Sequence, residues 1–315
     1  MTGNLKSSMS RRALLGGLAT MPVFLPRAMA DEATTPRSQF MRPAPPITSA
    51  DQVINVKDFE PLARDALPPA HFGYIATGAD DDRTVIRNHA AFSDYQIRAR
   101  RFNDLSRLTT ATSVFGASWA SPLYLSAVSA MRAFHPEGEI AVARAPRTRA
   151  LQLMLSTGSS SAPAAVGAAS GAPLWQQLYA TNDFAVTTAI VRRAEKAGST
   201  AIVLTADSPG KRNNETLRRA MQVDNRQCDA CHIGNSHEMW KNRPVFAGLD
   251  VSHVTGLAPP ALTTEFLDKL RAIVKGKLFI KGIVTGEDAA IALDHGADGI
   301  IVSNHGGRNE ETLRA

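Results

Sequence analysis

The sequence contains little cysteine, few aromatic residues and no long apolar run. Of its 315 residues only 2 are cysteine and 6% are aromatic, and no stripe of basic residues is interleaved with aromatic ones. That pattern argues against a nucleic-acid partner, although the net charge is +6. The N-terminal apolar run from Ala13 to Leu25 is too short to span a bilayer. With 44% hydrophobic and 20% charged residues, the chain is globular and can form one large domain or two small ones.

Residues 1–30 are predicted to be an export signal rather than part of the fold. Arg11 and Arg12 precede the weakly hydrophobic run, and residues 28–30 have the small-x-small pattern of a cleavage site. A twin arginine in this position is typical of signals that export folded proteins. The mature chain is therefore expected to begin near Asp31, in a bacterial periplasm, with a proline-rich linker at 31–50. Residues 51–315 would form the main domain.

Two helices are predicted before the first strand. Apolar residues between 56 and 70 have helical spacing, and Pro68 with Pro69 ends this helix. A second helix is expected at 71–88, broken at Gly78. These helices would cap a barrel or sheet, and Tyr74 on the second helix is expected to be a core aromatic residue with a tethered hydroxyl.

From residue 122 onward the sequence alternates between short apolar strands and helical stretches. Helical patterns cover 139–149, 183–196 and 286–294. Alternation at this spacing indicates a parallel β/α architecture. The predicted strands are 122–126, 151–156, 174–179, 201–205, 277–281 and 299–303.

Several of these strands end in polar residues suited to a binding site. Residues that converge from the ends of many strands are the signature of a β/α-barrel active site, because the carboxyl ends of the strands form the site in such barrels. The sequence therefore predicts an α/β barrel with a site at that edge. Its candidate residues are Ser156, Gln177, Tyr179, Thr205, Asp207, Lys281, Ser303 and His305.

The loop at 303–308 combines a proton acceptor with a group that binds carboxylates. His305 and Arg308 flank Gly306 and Gly307 directly after the last apolar strand. An imidazole can take a proton near neutral pH, and a guanidinium fork matches a carboxylate. A solvated histidine and arginine at a strand end is the alternative interpretation.

A long connection separates the fourth and fifth predicted strands and holds both cysteines. An insertion at about 208–276 exceeds the usual length of a barrel connection, which is typical of lids, binding loops or disordered segments. It contains Cys228, Cys231 and His232 in the Cys-x-x-Cys-His pattern of covalent haem c attachment. A disulfide or free thiols, and a zinc site that also uses His237, are the alternatives.

Six stretches, in order, resemble one known family from about Val53 to Arg308. This is the family of FMN-dependent α-hydroxy-acid oxidases and dehydrogenases, which includes glycolate oxidase, lactate oxidase and the flavocytochrome lactate dehydrogenases. The resemblance implies a (β/α)8 TIM barrel with FMN as cofactor. The matching stretches are 74–79, 135–139, 175–179, 205–209, 281–289 and 303–308.

The resemblance implies how a substrate would be held and deprotonated. His305 resembles the base that takes a proton from the substrate, and Asp207 is expected to pair with His305 and favour its protonated form. Arg212 and Arg308 resemble the two arginines that clamp the substrate carboxylate.

The resemblance also implies further substrate contacts and a flavin site. Tyr74 and Tyr179 resemble tyrosines that hydrogen-bond the substrate. Lys281 resembles the lysine near the flavin N1 and C2 carbonyl, where a cation stabilises the reduced ring. The implied polar contacts to the isoalloxazine are Ser156, Gln177, Thr205 and Ser303, of which the first three fit core polar residues equally well.

The sequence departs from the family pattern in four places. Residues 126–129 read Ser-Ala-Val-Ser where the family has Ala-Pro-Thr-Ala, and 207–212 is shorter by two residues than in glycolate oxidase. The Cys-x-x-Cys-His segment is absent from the best-known members. About six of the eight β/α units are expected in this chain, and the other two hold the FMN phosphate in the family. Weak flavin affinity and no yellow absorbance are therefore expected for the 315-residue protein.

The function implied by the resemblance is FMN-dependent oxidation of an L-2-hydroxy acid, similar to lactate or glycolate, to the 2-oxo acid. The electron acceptor would be oxygen, a quinone or a cytochrome. Another copy of the chain is a further candidate partner, in a homo-oligomer. One alternative is a catalytically inactive remnant or binding module of the same family. Another is a periplasmic electron-transfer protein that uses the Cys-x-x-Cys-His loop.

Overall fold

A computed structural model describes residues 46–208, 212–225, 239–257 and 262–313. The export signal predicted at 1–30, most of the linker, and Cys228, Cys231, His232 and His237 lie outside these residues. The chain divides into two compact units, Met1–Asp58 and Phe59–Ala315. In the first unit the described residues contain two short 3-10 helices, Ala50–Gln52 and Val56–Asp58. No helix within the described ranges is long and apolar enough to cross a membrane.

The second unit is built on a six-stranded parallel sheet whose spatial order follows the sequence. Each strand pairs with the next, as where Ala201 lies opposite Lys277 and Thr205 opposite Lys281. All six strands predicted from the sequence are present, and the first and last of them lie at the two ends of the described sheet. This order confirms the α/β barrel architecture. The strands are β3 (Tyr124–Leu125), β4 (Gln152–Leu155), β5 (Trp175–Leu178), β6 (Ala201–Thr205), β7 (Lys277–Ile283) and β8 (Gly299–Val302).

Helices cover the outer face of this sheet. The helices predicted at 139–149, 183–196 and 286–294 are present to within one residue, and Asp183 caps its helix by accepting from the backbone N–H groups of Ala185 and Val186. The helices are α1 (Phe59–Ala66), α2 (Pro69–Ala76), α3 (Arg83–Ala90), α4 (Glu139–Arg149), α5 (Pro163–Ser170), α6 (Phe184–Lys196), α7 (Glu215–Val223), α8 (Thr264–Ile273) and α9 (Gly286–Asp294).

Strand alternation divides the buried side chains between two faces. Leu204 and Leu278 belong to the cluster that packs against Ile190 of α6 and Leu270 of α8. The opposite face carries Met154, Trp175, Val203 and Phe279, and the residue two positions later on each strand is polar: Ser156, Gln177, Thr205 and Lys281. The interior therefore changes from apolar to polar toward the carboxyl ends of the strands.

An antiparallel hairpin that the sequence analysis did not predict closes the apolar end of the interior. It consists of β1 (Thr112–Val114) and β2 (Ala117–Trp119). The Trp119 and Trp175 ring centroids are 5.5 Å apart, and those of Phe115 and Phe279 are 4.7 Å apart. These spacings are typical of favourable aromatic pairs. The hairpin is too short to leave an alternating pattern, so only its packing reveals it.

The helices before the sheet differ in detail from the prediction. The first ends before the prolines as expected, but Pro69 begins α2, since proline suits the first turn of a helix. The predicted break at Gly78 extends from Thr77 to Asp82. The Ala79 N–H donates to the carbonyl of Gly307 over 2.9 Å, so this break contacts the loop after β8. The long connection at 208–276 contains α7 and α8, and is therefore partly helical rather than a structureless lid.

Candidate active site

Buried polar side chains lie side by side at the carboxyl ends of β4, β5 and β6. The Gln177 amide donates to Thr205 Oγ1 over 2.9 Å, and its carbonyl oxygen accepts from the Thr157 N–H over 3.0 Å. Ser156 Oγ lies 3.3 Å from the same oxygen and 2.8 Å from Ser129 Oγ. Three residues predicted from the sequence are therefore brought into one hydrogen-bonded row, to which the structure adds Thr157 and Ser129.

Asp207, Lys281 and His305 form a compact charged cluster beside this row. His305 Nδ1 lies 2.7 Å from Asp207 Oδ1, and Lys281 Nζ lies 3.4 Å from Asp207 Oδ2. The side chains of Asp207 and Lys281 are only 8% and 10% exposed. Lys281 Nζ also lies 3.5 Å from His305 Nδ1. The ends of β6, β7 and β8 therefore meet at one point, as predicted.

The cluster favours a neutral imidazole beside an ion pair. Burial opposes ionisation of Asp207, but the hydrogen bond from His305 and the charge of Lys281 together lower the pKa of this carboxyl. Burial is the main reason that the pKa of His305 is lowered, and the charge of Lys281 adds to it against the raising effect of Asp207. Asp207 was expected to favour the protonated histidine. The hydrogen bond to Asp207 and its charge do raise the pKa of His305, as expected, but burial and the charge of Lys281 outweigh the carboxylate, so the net shift is downward.

The ionised Asp207 and the neutral His305 determine the roles of the two ring nitrogens of His305. The Nδ1–H of His305 donates to Asp207, which leaves Nε2 as the acceptor. The Tyr179 hydroxyl lies 3.3 Å from Nε2. Burial, followed by the charge of Asp207, raises the pKa of Tyr179, so this hydroxyl remains a donor near neutral pH. The site thus presents a basic nitrogen next to a hydrogen-bond donor.

The loop after β8 has a left-handed backbone at three successive residues. His305, Gly306 and Gly307 have φ values of 59°, 69° and 73°. A Cβ on Gly307 would lie 2.7 Å from the backbone nitrogen of Val85, so only glycine allows the loop to approach α3 this closely. Ser303 accepts from the His305 N–H over 3.0 Å and so supports this turn.

Arg308 is anchored by the last turn of α2. Its guanidinium donates to the carbonyls of Tyr74, Ile75 and Thr77 at 2.7 to 3.1 Å. The guanidinium carbon also lies 5.2 Å from the centre of the Tyr74 ring, which stacks on Phe134. Tyr74 is 40% exposed, so it is not the core aromatic residue that helical spacing alone predicted. Instead it lies at the site surface beside Arg308.

Arg212 faces the same space as Arg308. Burial is the main reason that the pKa of Arg308 is lowered, and the charge of Arg212 contributes. Arg212 also contributes to lowering the pKa of His305. Its guanidinium donates to the side-chain carbonyl of Asn309. Arg212 thus lies close enough to both Arg308 and His305 for its charge to act on them. Asn309 is a site residue that the sequence analysis missed, although it directly follows the 303–308 motif.

A bulge in β7 is the second feature that the sequence analysis missed. The pairing of β7 with β8 shifts register between Lys281 and Ile283. Gly282 in this bulge has φ of 99°, and a Cβ there would lie 2.4 Å from the Cβ of Asp207. Glycine inside an apolar strand is a signal for such a bulge or for close approach of another chain segment. Gly282 lies in the bulge and also leaves room for Asp207 to approach.

An apolar cavity of about 480 Å³ is lined by Ile75 and Phe134, the residues next to and stacked on Tyr74. Its walls include Phe134, which stacks on Tyr74, and Ile75, whose carbonyl accepts from Arg308. Val128 and Met131 from the loop after β3 complete this side. An apolar group held near Arg308 would find its contacts here.

The donor set at the strand ends suits the polar edge of a flavin. Such a ring system presents carbonyl oxygens and ring nitrogens in one plane, and the row supplies the hydroxyls of Ser156 and Thr205, the amide of Gln177 and the ammonium of Lys281. The residues present therefore fit the ring of FMN. In the described part of the chain no group of three or more histidine, cysteine, aspartate and glutamate residues could hold a metal ion.

Comparison with known proteins identifies one family over most of the chain. The family described as FMN-dependent dehydrogenase matches residues 63–315. An L-lactate dehydrogenase from Caulobacter sp. (strain K31) is 35% identical, in a match that covers 81% of this chain and 73% of the relative. A 4-hydroxymandelate oxidase from Amycolatopsis orientalis is 36% identical over 81% of this chain and 71% of the relative.

A solved structure agrees with this match. The crystal structure of a mandelate oxidase superposes with a TM-score of 0.70 at 33% identity, and covers 82% of this chain and 71% of the other. The similarity therefore extends to the arrangement of the strands as well as to their sequences.

Proposed function

The chain belongs to the family of FMN-dependent dehydrogenases, and from this premise we propose that it oxidises an L-2-hydroxy acid to the 2-oxo acid with bound FMN as oxidant. The observation that carries the proposal is the cluster of Asp207, Lys281 and His305 beside the buried polar row. It places a neutral base next to a donor set that fits a flavin.

His305 is the base in this proposal. Its Nε2 is the acceptor nitrogen of a ring whose Nδ1–H is held by Asp207 over 2.7 Å. A base of lowered pKa is unprotonated near neutral pH and can take a proton from the substrate. Asp207 then stabilises the imidazolium that forms, as a fixed carboxylate does beside any charged ring. Tyr179, at 3.3 Å from Nε2, is placed to hydrogen-bond the same substrate.

Arg212 and Arg308 orient the substrate carboxylate. Both lie on the side of the site occupied by Tyr74 and His305, and a guanidinium binds a carboxylate with geometric as well as electrostatic preference. The carbonyls of α2 fix Arg308 before the substrate arrives, so little side-chain freedom is lost on binding. The apolar cavity beside Tyr74 would accept an apolar substituent of the acid.

Bound FMN would supply the electron-accepting chemistry. Lys281 is placed to stabilise negative charge on the polar edge of the ring, and Ser156, Gln177 and Thr205 are placed to hydrogen-bond it. The Asp207 carboxylate holds the ammonium of Lys281 at 3.4 Å and so fixes where this cation acts.

Anaerobic reduction of bound flavin tests the proposal. The protein is loaded with FMN, mixed with L-lactate, glycolate or L-mandelate, and followed by the loss of flavin absorbance. We expect bleaching with at least one L-2-hydroxy acid and none with its D-enantiomer. His305→Gln should load with FMN but bleach at least about 10²-fold more slowly, since it lacks the base. Bleaching by both enantiomers, or an unimpaired His305→Gln variant, contradicts the assignment.

Reoxidation of the reduced protein then distinguishes the acceptors. Oxygen, a soluble quinone and cytochrome c are offered separately after the substrate is consumed, and the fastest reoxidation identifies the acceptor class. The proposed export through the twin arginines is tested independently. Arg11→Lys with Arg12→Lys should leave the protein in the cytoplasm of the host, while the unaltered signal should place it in the periplasm.

A further inference from the structure

We infer that Asn309 is a positioning residue that fixes Asp207 against His305 and ties this pair to Arg212; the inference rests on the function proposed above. The Asn309 amide donates to Asp207 Oδ1 over 3.2 Å and to Ser208 Oγ over 2.8 Å. Its carbonyl oxygen accepts from the Arg212 guanidinium. One side chain therefore contacts both the partner of the base and a cation proposed to bind the substrate.

The hydrogen bond from Asn309 restrains rotation of the Asp207 carboxylate, which its other contacts restrain less. Asp207 Oδ1 is shared between the Asn309 amide and His305 Nδ1, while Oδ2 contacts Lys281 at 3.4 Å. Without Asn309, Oδ1 keeps His305 Nδ1 at 2.7 Å and only a long contact from Ser208 Oγ at 3.5 Å, and the 3.4 Å contact of Oδ2 to Lys281 restrains the carboxylate only weakly. Rotation of the carboxylate would turn the imidazole with it, and reaction rates depend steeply on such geometry.

Asn309 also prepares Arg212 for its ligand. The Arg212 side chain is exposed, so the free rotamers of a long arginine would have to be frozen on substrate binding. The carbonyl oxygen of Asn309 holds the guanidinium beforehand. A preordered cation binds a carboxylate more tightly because this entropy is already lost.

The side-chain amide of Asn309 can serve both contacts at once. It offers a donor to the carboxylate and an acceptor to the guanidinium. Asn309→Asp keeps the acceptor for Arg212 but places a second carboxylate against Asp207. Asn309→Leu has a similar size and offers neither group. Asn309→Gln keeps both groups on a longer side chain. The three variants therefore separate the two contacts.

Titration of His305 by NMR, in the full chain without substrate, tests the link to the base. The charged groups that face this ring are Asp207 after β6, Lys281 on β7 and Arg212, with the Tyr179 hydroxyl after β5. Asn309→Asp adds negative charge behind Asp207, so the pKa of His305 should rise, and the acid limb of the rate profile should move to higher pH with it. An unchanged titration in a folded Asn309→Asp variant overturns this link.

Steady-state kinetics test the link to Arg212. Asn309→Leu should lower kcat about tenfold and raise KM severalfold, while Asn309→Gln should recover most of both. Asn309→Asp should leave KM within about threefold, because Arg212 keeps its acceptor. Combining Arg212→Met with Asn309→Leu should then raise KM by less than the product of the single effects.

The inference is overturned if KM and kcat of Asn309→Leu lie within twofold of wild type and the effects of Arg212→Met and Asn309→Leu on KM simply multiply in the double variant. Melting temperatures of all variants show whether each one folds. If the protein turns over no hydroxy acid, the function proposed above fails, but the NMR titration still decides whether position 309 is linked electrostatically to the Asp207–His305 pair.

Discussion

Asp207 Oδ1 lies 2.7 Å from His305 Nδ1, although 98 residues of sequence separate the two. The carboxylate follows β6 and the imidazole follows β8, with β7 and its Lys281 between them. Parallel pairing of three consecutive strands therefore creates the contact. The same pairing lets the Asp207 carboxylate contact both His305 and Lys281.

Removing the charge of Asp207 should abolish most of the activity. Asp207→Asn leaves the imidazolium without a counter-ion during proton transfer, and the amide can turn its NH₂ group toward Nδ1 and so select the wrong tautomer. We expect the rate of anaerobic flavin reduction to fall by about 10² to 10⁴-fold. Asp81→Asn makes the same chemical change at an exposed position outside the cluster and should have little effect. Equal rates for the two variants would contradict the role of Asp207.

Activity should fall with decreasing pH along a limb set by His305. Protonated His305 cannot accept a proton, and burial with the charge of Lys281 lowers its pKa, so the loss should occur below the ordinary range of histidine. In Lys281→Met the lowering charge is absent, and the limb should move to higher pH. The measurement is kcat/KM against pH, with Lys277→Met, an exposed partner of Asp298, as the control. An acid limb that moves to lower pH in Lys281→Met would contradict the assignment of this limb to His305.

Gly282→Ala should disturb both stability and chemistry. The φ of 99° disfavours any side chain, and the added Cβ would meet the Cβ of Asp207 at 2.4 Å. We expect a loss of roughly 1–3 kcal/mol in the free energy of unfolding, together with slower flavin reduction because Asp207 is displaced. Urea unfolding of the folded variant measures the first effect. Gly286→Ala has open space around its Cβ and an ordinary φ, so it serves as the matched control.

The apolar end of the interior should carry much of the stability of the sheet. Phe279 is 1% exposed and packs between Phe115 and Trp175. Phe279→Ala should lower the free energy of unfolding by about 3–5 kcal/mol through lost burial and a cavity. Phe102→Ala, at a fully exposed phenylalanine, should change it by less than about 0.5 kcal/mol. A Phe279→Ala variant as stable as Phe102→Ala would mean that the hairpin packing contributes little.

The sequence by itself determined the strands, their parallel order and most of the site. Short apolar runs such as 201–205 and 299–303, separated by amphipathic helices, indicate buried parallel strands because both faces of each strand must be covered. Once the strands are known, Asp207, Lys281 and His305 must lie at the same edge, since all carboxyl ends of a parallel sheet point the same way. The local pattern of apolar residues was sufficient to predict the strands because strand and helix alternate repeatedly along the chain.

Tertiary structure alone decided the finer geometry. The bulge at Gly282, the anchoring of Arg308 on the carbonyls of α2, and the bridge from Asn309 to Asp207 and Arg212 are contacts between distant segments. The net lowering of the histidine pKa likewise depends on burial and on Lys281, neither of which the pairing with Asp207 reveals. Periodicity reports which face of an element is buried, whereas these contacts depend on how two elements approach each other. That approach is set by packing, and only the folded chain contains it.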